Sequence, residues 1–426
     1  MVNRLKKLSP QFQKLLKISS EVADALGYRI YLVGGVVRDL VLGRKVFDLD
    51  IAVEGDAIVL ARHLAEKLSS SFSRHHAFGT ATLMVESHKI DFATARTELY
   101  IHPGALPKVQ PATLSEDLFR RDFAINAMAI SLNKGDYGRL VDLYRGMTDL
   151  KNKTLRILHE KSFLDDPTRI LRAVRFEQRF LFKFEPFTFS LMKRALADNA
   201  LSFVSLHRLR GELELILQEP KPRAYIRRLN EITGFAFISP RIKLSKKHFD
   251  FFKRIEAALI HYNTKYPKHR VCQSWLIYLG GILLQIPSEG FERILHDFGF
   301  KKGERIILRS MREGLNLLTK LGQIVKPHVL YRSCSVFSFE ALLFFYAYYT
   351  QRMLHKNIDY FLKKQISVTL RIRGSDLKQR GLKPESLYGR VFEELLERKL
   401  DYGFSSKDEE LEAAVALFNT MANKIH

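Results

Sequence analysis

Apolar positions recur at helical spacing near the start of the chain. Phe12, Leu15, Leu16, Ile18, Val22 and Leu26 fall on one face of a helix predicted over 11–27, and Gly27 stops it. "RIYLV" then reads as a buried strand ending at Gly34–Gly35. A helix follows through Val37, Leu40 and Val41 and ends near Gly43. "FDLDIAV" predicts a second strand and "AIVLARHLAEKL" a second helix. "TATLMVE" and "HKIDFAT" predict a hairpin that turns around Ser87. Strands and helices mixed within about 130 residues imply a compact α/β domain.

Beyond about residue 155 the strand signals fade. "RILRAVRFEQRF", "RLRGELELILQE" and "YIRRLNEI" alternate apolar and basic residues at helical period, so the remainder reads as an all-helical arm. Weak boundaries fall at 219–224, at 240–247 and around Pro327. The stretch 374–403 has a turn around Gly381 and Pro384 and then a helix. The most membrane-like run, Val336 to Thr350, is shorter than a span needs and is interrupted by Glu340, so it predicts a buried core helix. The basic N-terminus has no long apolar core and is not a secretory signal.

Composition then changes the picture in two ways. At 426 residues the chain exceeds one hydrophobic core, and two to four domains are expected. Lysine plus arginine number 69 against 46 aspartates and glutamates, a formal charge of +23. That field suits a polyanion, with nucleic acid ahead of a membrane surface because no basic amphipathic anchor stands out. The two cysteines, Cys272 and Cys334, have neither metal-ligand spacing nor a disulfide framework, which points to a reducing cytoplasm.

The chemistry concentrates between Tyr31 and Asp91. Asp48 and Asp50 stand at i and i+2 on a predicted strand, so their side chains share a face. Two carboxylates placed so repel unless cations lie between them, and two hard divalent ions about 4 Å apart suit them. Asp91 on a later strand is placed to add a third carboxylate. Taken alone, D-x-D reads as a solvated strand face. Its context alters that reading: Gly34–Gly35 ends the preceding strand and opens a helix, where backbone N–H groups bind phosphate and glycine permits close approach. Arg38 lies one turn further in and adds a charged contact. Asp39 is free to pair with Arg38 or Arg44.

These residues form an ordered pattern. "LVGGVVRD…FDLDIAVEGDA" resembles the signature of class II tRNA nucleotidyltransferases and bacterial poly(A) polymerases, within the polymerase β nucleotidyltransferase superfamily. The resemblance continues through "ARTELYIHPGALPKVQPATLSEDLFRRDFAINAMAI" (95–130), with its R-R-D-x-x-x-N-A helix, and "LVDLYRGMTDLKNKTLRIL" (140–158). It extends to "DDPTRILRAVRF" (165–176), similar to the family's nucleobase-reading E-D-x-x-R helix. It covers roughly residues 25–220, and the 374–403 stretch also looks familial. The resemblance implies an α+β fold: a polymerase β-type nucleotidyltransferase head at 25–155, then a helical neck at 156–225, body at 226–335 and tail at 336–426. It also implies that Arg121 and Asn126 lie near the nucleotide. Asp122 would orient Arg121, and Asp142 and Asp149 would shape the head–neck junction.

The reading helix also follows from chemistry. Asp166–Pro167 starts it, and Asp166 and Arg169 are neighbours on one face. A carboxylate accepts and a guanidinium donates. Cytosine (N3, N4) and adenine (N1, N6) each offer an acceptor beside a donor amine, which matches that pair; uracil and guanine offer the reverse. An ordinary ion pair between Asp166 and Arg169 is the alternative. Arg172, Arg175 and Arg179 continue that side of the helix and would meet phosphates, or else form a solvated stripe. His207 stands where the family often has a glutamate, and Asp165 replaces another. No H-x-x-x-x-H-D phosphohydrolase pattern occurs. His75, His76 and His207 read as surface or helix residues, and Trp275 as core.

The implied activity is template-independent addition of 3′-terminal nucleotides to tRNA from CTP and ATP, with release of pyrophosphate and with Mg2+ held by Asp48 and Asp50. Similar proteins add CCA, CC, the final A, or poly(A). Residues 102–118 and 162–180 most resemble bacterial enzymes that add the terminal A, while CCA addition is the broader default and poly(A) synthesis ranks third. The helical arm would hold the acceptor and T arms of tRNA through phosphates and shape. A non-catalytic RNA-binding protein on the same fold is the rival reading. Oligomeric state and the role of the tail are left open by the sequence.

Overall fold

The computed structural model describes residues 4–266, 271–317, 321–323 and 325–423. The chain divides into two compact units: Met1–Glu219 with Glu231–Thr233, and Pro220–Asn230 with Gly234–His426.

The first unit opens with helix α1 (Pro10–Ala25), capped by the Ser9 hydroxyl on the Phe12 N–H, with Pro10 in its first turn. Strand β1 (Arg29–Val33), helix α2 (Gly35–Val41), strand β2 (Leu49–Glu54) and helix α3 (Ala57–Leu68) follow as the hydrophobic pattern predicts. β3 (Ser71–His75), β4 (Thr80–Val85) and β5 (His88–Thr94) come next, and β4 and β5 form the expected antiparallel hairpin, turning at Glu86–Ser87. A separate two-stranded ribbon, β6 (Arg96–Leu99) with β7 (Lys108–Pro111), precedes α4 (Leu114–Phe119). β8 (Ala129–Ser131) and β9 (Leu140–Val141) complete a seven-stranded mixed sheet in the order β3-β4-β5-β2-β1-β8-β9. Only the β2–β5 contact within it is parallel. Ile30, Leu32, Ile51, Val53, Leu83 and Phe92 are essentially fully buried in it, each contributing about 2 kcal/mol of transfer energy.

After helix α5 (Gly146–Asn152) the unit is mostly helical. A two-residue parallel pair, β10 (Thr154–Leu155) with β11 (Lys183–Phe184), brackets α6 (Ser162–Asp165) and α7 (Thr168–Phe180), and α8 (Pro186–Ala197) and α9 (Leu206–Leu217) close it.

The described residues of the second unit form helices joined by loops, with no strand: α10 (Pro222–Thr233, its last three residues belonging to the first unit), α11 (Lys246–Lys265), α12 (Ser274–Leu283), α13 (Ser288–Asp297), α14 (Lys302–Leu317), α15 (Pro327–Ser335), α16 (Phe339–Tyr348), α17 (Arg352–Tyr360), α18 (Gly374–Gln379), α19 (Tyr388–Tyr402) and α20 (Lys407–Ala422). The membrane-like run is α16, buried against α11, α12 and α14, with Phe344 edge-on to Phe251 at 5.3 Å. Glu340 is fully buried and accepts the Gln273 N–H at 3.1 Å, a contact that helps a carboxylate to be tolerated there. Trp275 is buried in α12 as expected. Leu377, Val391, Leu395, Leu417 and Phe418 form a separate core under α18–α20. Among the described residues no single helix is long and apolar enough to cross a membrane.

Four local expectations need correction. Asp48 is not on β2: the ladder ends at Leu49↔Ile90, and Asp48 sits in the exposed bend before it. Strand β3 is unmarked in the sequence because its five residues are mostly exposed and show no alternation. The R-R-D-x-x-x-N-A stretch is not a regular helix but a bend followed by one 3-10 turn at Ala124–Asn126. The fading of strand signals after 155 overlooks β11, which at two residues is too short to show a period.

Candidate active site

Parallel pairing of β2 with β5 puts Asp50 directly opposite Asp91. Both oxygens of Asp91 are engaged: the Thr82 hydroxyl donates to one at 2.6 Å and the Lys89 ammonium to the other at 2.6 Å. Asp50 keeps an edge open to solvent. Burial of the rest of the group raises its pKa above the ordinary value, and the neighbouring Asp91 carboxylate adds to this, with Arg121 and Lys89 pulling the other way. Asp48 contributes a smaller repulsion to the same group. Among the described residues no three His, Cys, Asp or Glu side chains converge as a closed metal cage requires. Mg2+ is commonly held by one or two carboxylates plus substrate phosphates, so the donor set of Asp48 and Asp50 fits that ion on a triphosphate.

Asp50 opens onto a cavity of about 460 Å3. Its wall contains Gly34, Gly35, Arg38, Arg121, Asn126, Asp166, Arg169, Arg172 and Arg175, which are all the residues expected at the nucleotide; Asp48 and Asp91 are outside the lining. Seven arginines and four carboxylates line it in all. Gly34 has a φ of +74°, and a Cβ there would lie 2.7 Å from the Arg121 Nη1, so only glycine lets that guanidinium reach the end of β1. Since α2 has only seven residues, the surrounding guanidinium groups supply most of the positive potential.

Arg38 is buried and held on three sides. It clamps Asp39 through two hydrogen bonds (2.9 and 3.0 Å), donates to the Asn126 Oδ1 at 2.6 Å, and lies 4.7 Å from the Phe180 ring centroid. Of the two partners open to Asp39, Arg38 is therefore the one it takes. Asn126 in turn donates to Asp122 at 2.9 Å. Asp122 does not orient Arg121. It accepts from Asn126, from the Phe123 N–H and from the Arg172 Nε and Nη2, while Arg121 is held by Asp117 at 2.8 Å. Burial pushes the Asp122 carboxyl up, but Arg172 and these hydrogen bonds outweigh it and hold it at about 2.

Arg172 is also not the free phosphate contact expected of it. Asp122 takes its Nε and Nη2, and Glu212 takes its Nη1 at 3.0 Å, because α9 brings Glu212 alongside α7. Arg175 meets Glu212 more loosely, at 3.4 Å, and its buried Nε has no hydrogen-bond partner; burial lowers its pKa. Arg179 is half-exposed and 3.6 Å from Glu219.

Asp166 and Arg169 are not paired with each other. Asp166 caps α7 through the Thr168 N–H (3.1 Å) and hydroxyl (2.6 Å) and accepts from the Arg208 Nη2 at 2.8 Å, all on Oδ1. Arg169 is fixed by the Ser162 hydroxyl and the Arg120 carbonyl, both at 2.6 Å. Among the described residues the Asp166 Oδ2 makes no hydrogen bond, and Asp166 and Arg169 both line the cavity wall.

Sequence reasoning missed Arg120, Glu98, Tyr100 and Arg208. Tyr100 donates to Glu98 at 2.7 Å, and Arg120 pairs with both Glu98 (2.7 Å) and Asp117 (2.6 Å). Arg208 also donates to the Gly104 carbonyl at 3.0 Å. The arginine pairs in "FRRD" and "HRLR" carry the signal for Arg120 and Arg208, while His207 itself is exposed. Asp142 accepts the Gly146 and Met147 N–H groups, and Asp149 pairs with Arg156 at 2.8 Å, so both act locally to hold α5.

Comparison with known proteins places this geometry. The Poly A polymerase head domain family model matches residues 30–156. An A-adding tRNA nucleotidyltransferase of Geobacter sulfurreducens is 32% identical over 95% of this chain and 47% of its own length, so the chain spans about half of that relative. An A-adding tRNA nucleotidyltransferase of Halalkalibacterium halodurans is 33% identical over 88% of this chain and 85% of its own. The solved apo form II of a CCA-adding enzyme superposes with a TM-score of 0.78 at 33% identity, covering 97% of this chain and 98% of that one. The chain belongs to the tRNA nucleotidyltransferase and bacterial poly(A) polymerase family.

Proposed function

We propose that the protein adds nucleotides to the 3′ end of tRNA without a template, with the terminal A as its principal product. The RNA 3′-hydroxyl attacks the α-phosphorus of ATP, a new P–O bond forms, and the bond to the leaving pyrophosphate breaks. The observation that carries this reading is the single cavity in which Asp50, the Gly34–Gly35 turn, Arg38, Arg121, Asp166 and Arg169 meet. The names of the two bacterial relatives support the terminal A over the other products. Full CCA addition, with CTP as a second substrate, is the second reading. It is favoured by the CCA-adding structural neighbour and by the donor–acceptor edge that cytosine and adenine share.

In this reading Asp166 and Arg169 receive the base through the open Oδ2 and the guanidinium. Arg121 and Arg175 meet the triphosphate, and Arg38, locked by Asn126 and Asp39, presents a fixed charge beside it. Asp48 and Asp50 would hold a divalent cation, with Mg2+ the ion best matched to the donors. When bound, such an ion supplies charge neutralisation and polarises the reacting oxygens. Asp91, locked by Thr82 and Lys89, raises the avidity of Asp50 for a cation and is a positioning residue. Most of the rate comes from placement and electrostatics. The helical arm is proposed to carry the tRNA acceptor and T arms, with the body at 226–335 and the tail at 336–426 in the second unit and the neck at 156–225 almost wholly in the first. The last three residues of that tail lie outside the described ones. Cys272 and Cys334, which form no disulfide, support a reducing, cytoplasmic setting.

The test is incubation with radiolabelled ATP or CTP, Mg2+ and tRNA transcripts that end before the first C, the second C or the A. AMP incorporation only on tRNA ending in CC is the expected result. CMP incorporation would shift the assignment to CCA addition. No incorporation, at RNA concentrations where binding is measured, would favour a non-catalytic RNA binder.

A further inference from the structure

We propose that a second hollow, walled by the rings of Phe119, Tyr144 and His159 and sharing Arg169 with the nucleotide cavity, seats an unpaired base of the RNA 3′ end. This rests on the function proposed above. The hollow measures about 470 Å3. Glu98, Tyr100, Arg120 and Arg169 line both compartments, so one layer of side chains separates them. Sequence neighbours divide across that layer: Asp165 faces the hollow and Asp166 the cavity, Phe119 the hollow and Arg121 the cavity.

The three rings converge without stacking flat. Phe119 is 5.7 Å from Tyr144 at 41° and 5.3 Å from His159 at 39°. Phe119 is 44% exposed, a large apolar ring left uncovered at the edge of an arginine-walled cavity. Single-stranded nucleic acid binds by laying bases on aromatic faces while its backbone meets positive charge. Burial, and then Arg169 and Lys161, lower the His159 pKa to about 4, so its ring is neutral at physiological pH. The Asp165 carboxylate has His159 as its nearest charged-type neighbour, at 3.8 Å, beyond hydrogen-bond reach. It therefore stands as an acceptor at the rim, suited to an exocyclic amine such as N4 of cytosine.

The experiment uses the full chain with tRNA ending in CC. Wild type, Phe119→Ala, Phe119→Leu and Phe119→Tyr are compared for the KM of tRNA and of ATP. The leucine variant keeps the apolar fill and the tyrosine variant keeps the ring. A fluorescent cytidine analogue is placed at each of the last two RNA positions in turn. The expected result is a rise of about tenfold in the KM for tRNA on losing the ring, the size of one base stack. Phe119→Tyr should restore it, the KM for ATP should not move, and the analogue should be quenched at one position in wild type and brighter in Phe119→Leu. An unchanged KM for tRNA with no quenching at either position overturns the proposal, and so does a rise confined to ATP, which would assign the hollow to the nucleotide. If wild type incorporates nothing on any tRNA, the proposed function fails while the fluorescence still decides the hollow.

Discussion

Two carboxylates of the cavity wall, Asp122 and Asp50, live in opposite surroundings. Asp122 accepts from Asn126, the Phe123 N–H and Arg172, and its charged form is strongly favoured. Asp50 faces Asp91 across the sheet, is partly desolvated, and its charged form is disfavoured. The arginines divide in the same way. Arg172, beside Asp122, has its donors engaged, whereas the buried Nε of Arg175 has no partner. Protein groups alone satisfy Asp122 and Arg172, which serve as scaffold. Asp50 and Arg175 are met less completely, which suits the cation and triphosphate proposed to complete the set.

The largest expected effect comes from removing that unmet charge. Asp50→Asn or Asp48→Ala should lower nucleotide incorporation by about a thousandfold or more, the scale of losing transition-state charge stabilisation, with RNA binding by filter retention largely intact. Surviving activity would break the comparison at its acidic end. Next is the scaffold: Asp122→Ala leaves Arg172 and Asn126 short of their acceptor and should destabilise the first unit by roughly 3 kcal/mol in denaturant titration. The sign with pH is fixed. The Asp122 pKa of about 2 is depressed, so its contribution of about 2 kcal/mol is present above the ordinary carboxylate range and lost as pH falls towards the folded value. Arg169→Ala should reduce discrimination against UTP and GTP by about tenfold, read from kcat/KM for the four nucleotides.

The smallest effect is the most diagnostic. Because the Asp50 pKa is raised, the folded protein keeps its proton to higher pH than the unfolded chain does. That group favours folding in acid, and its contribution turns unfavourable as pH rises past the ordinary carboxylate value. Divalent cations displace the proton, so their affinity should climb with pH across that window. Asp91→Asn should move the acid limb of the activity profile to lower pH. An unmoved limb would mean that Asp91 does not act on Asp50.

Much of the head was legible because its apolar runs are long enough to show a period: α1, β1, α3 and the β4–β5 hairpin follow directly from the sequence. β3, β8, β9 and the β6–β7 ribbon were not legible, since short or exposed strands are specified by their neighbours rather than by alternation. In the site, the residue types were legible but their pairings were not. Asp166 and Arg169 look like an i,i+3 ion pair, yet Asp166 takes Arg208 and Arg169 takes the Arg120 carbonyl, both more than 40 residues away, together with the nearby Ser162 hydroxyl. Asp122 turned out to serve Arg172, 50 residues away, rather than its neighbour Arg121. Long-range partners of charged groups leave no local signature.

The claim that Asp48 and Asp50 grip a divalent cation beneath a bound triphosphate is tested most directly by Mn2+ titration with electron paramagnetic resonance, in the presence and absence of ATP. Wild type should bind the ion, more tightly with ATP. Asp50→Asn should lose that binding while retaining the ATP contacts made by its arginines. Equal Mn2+ binding by both proteins would contradict the account.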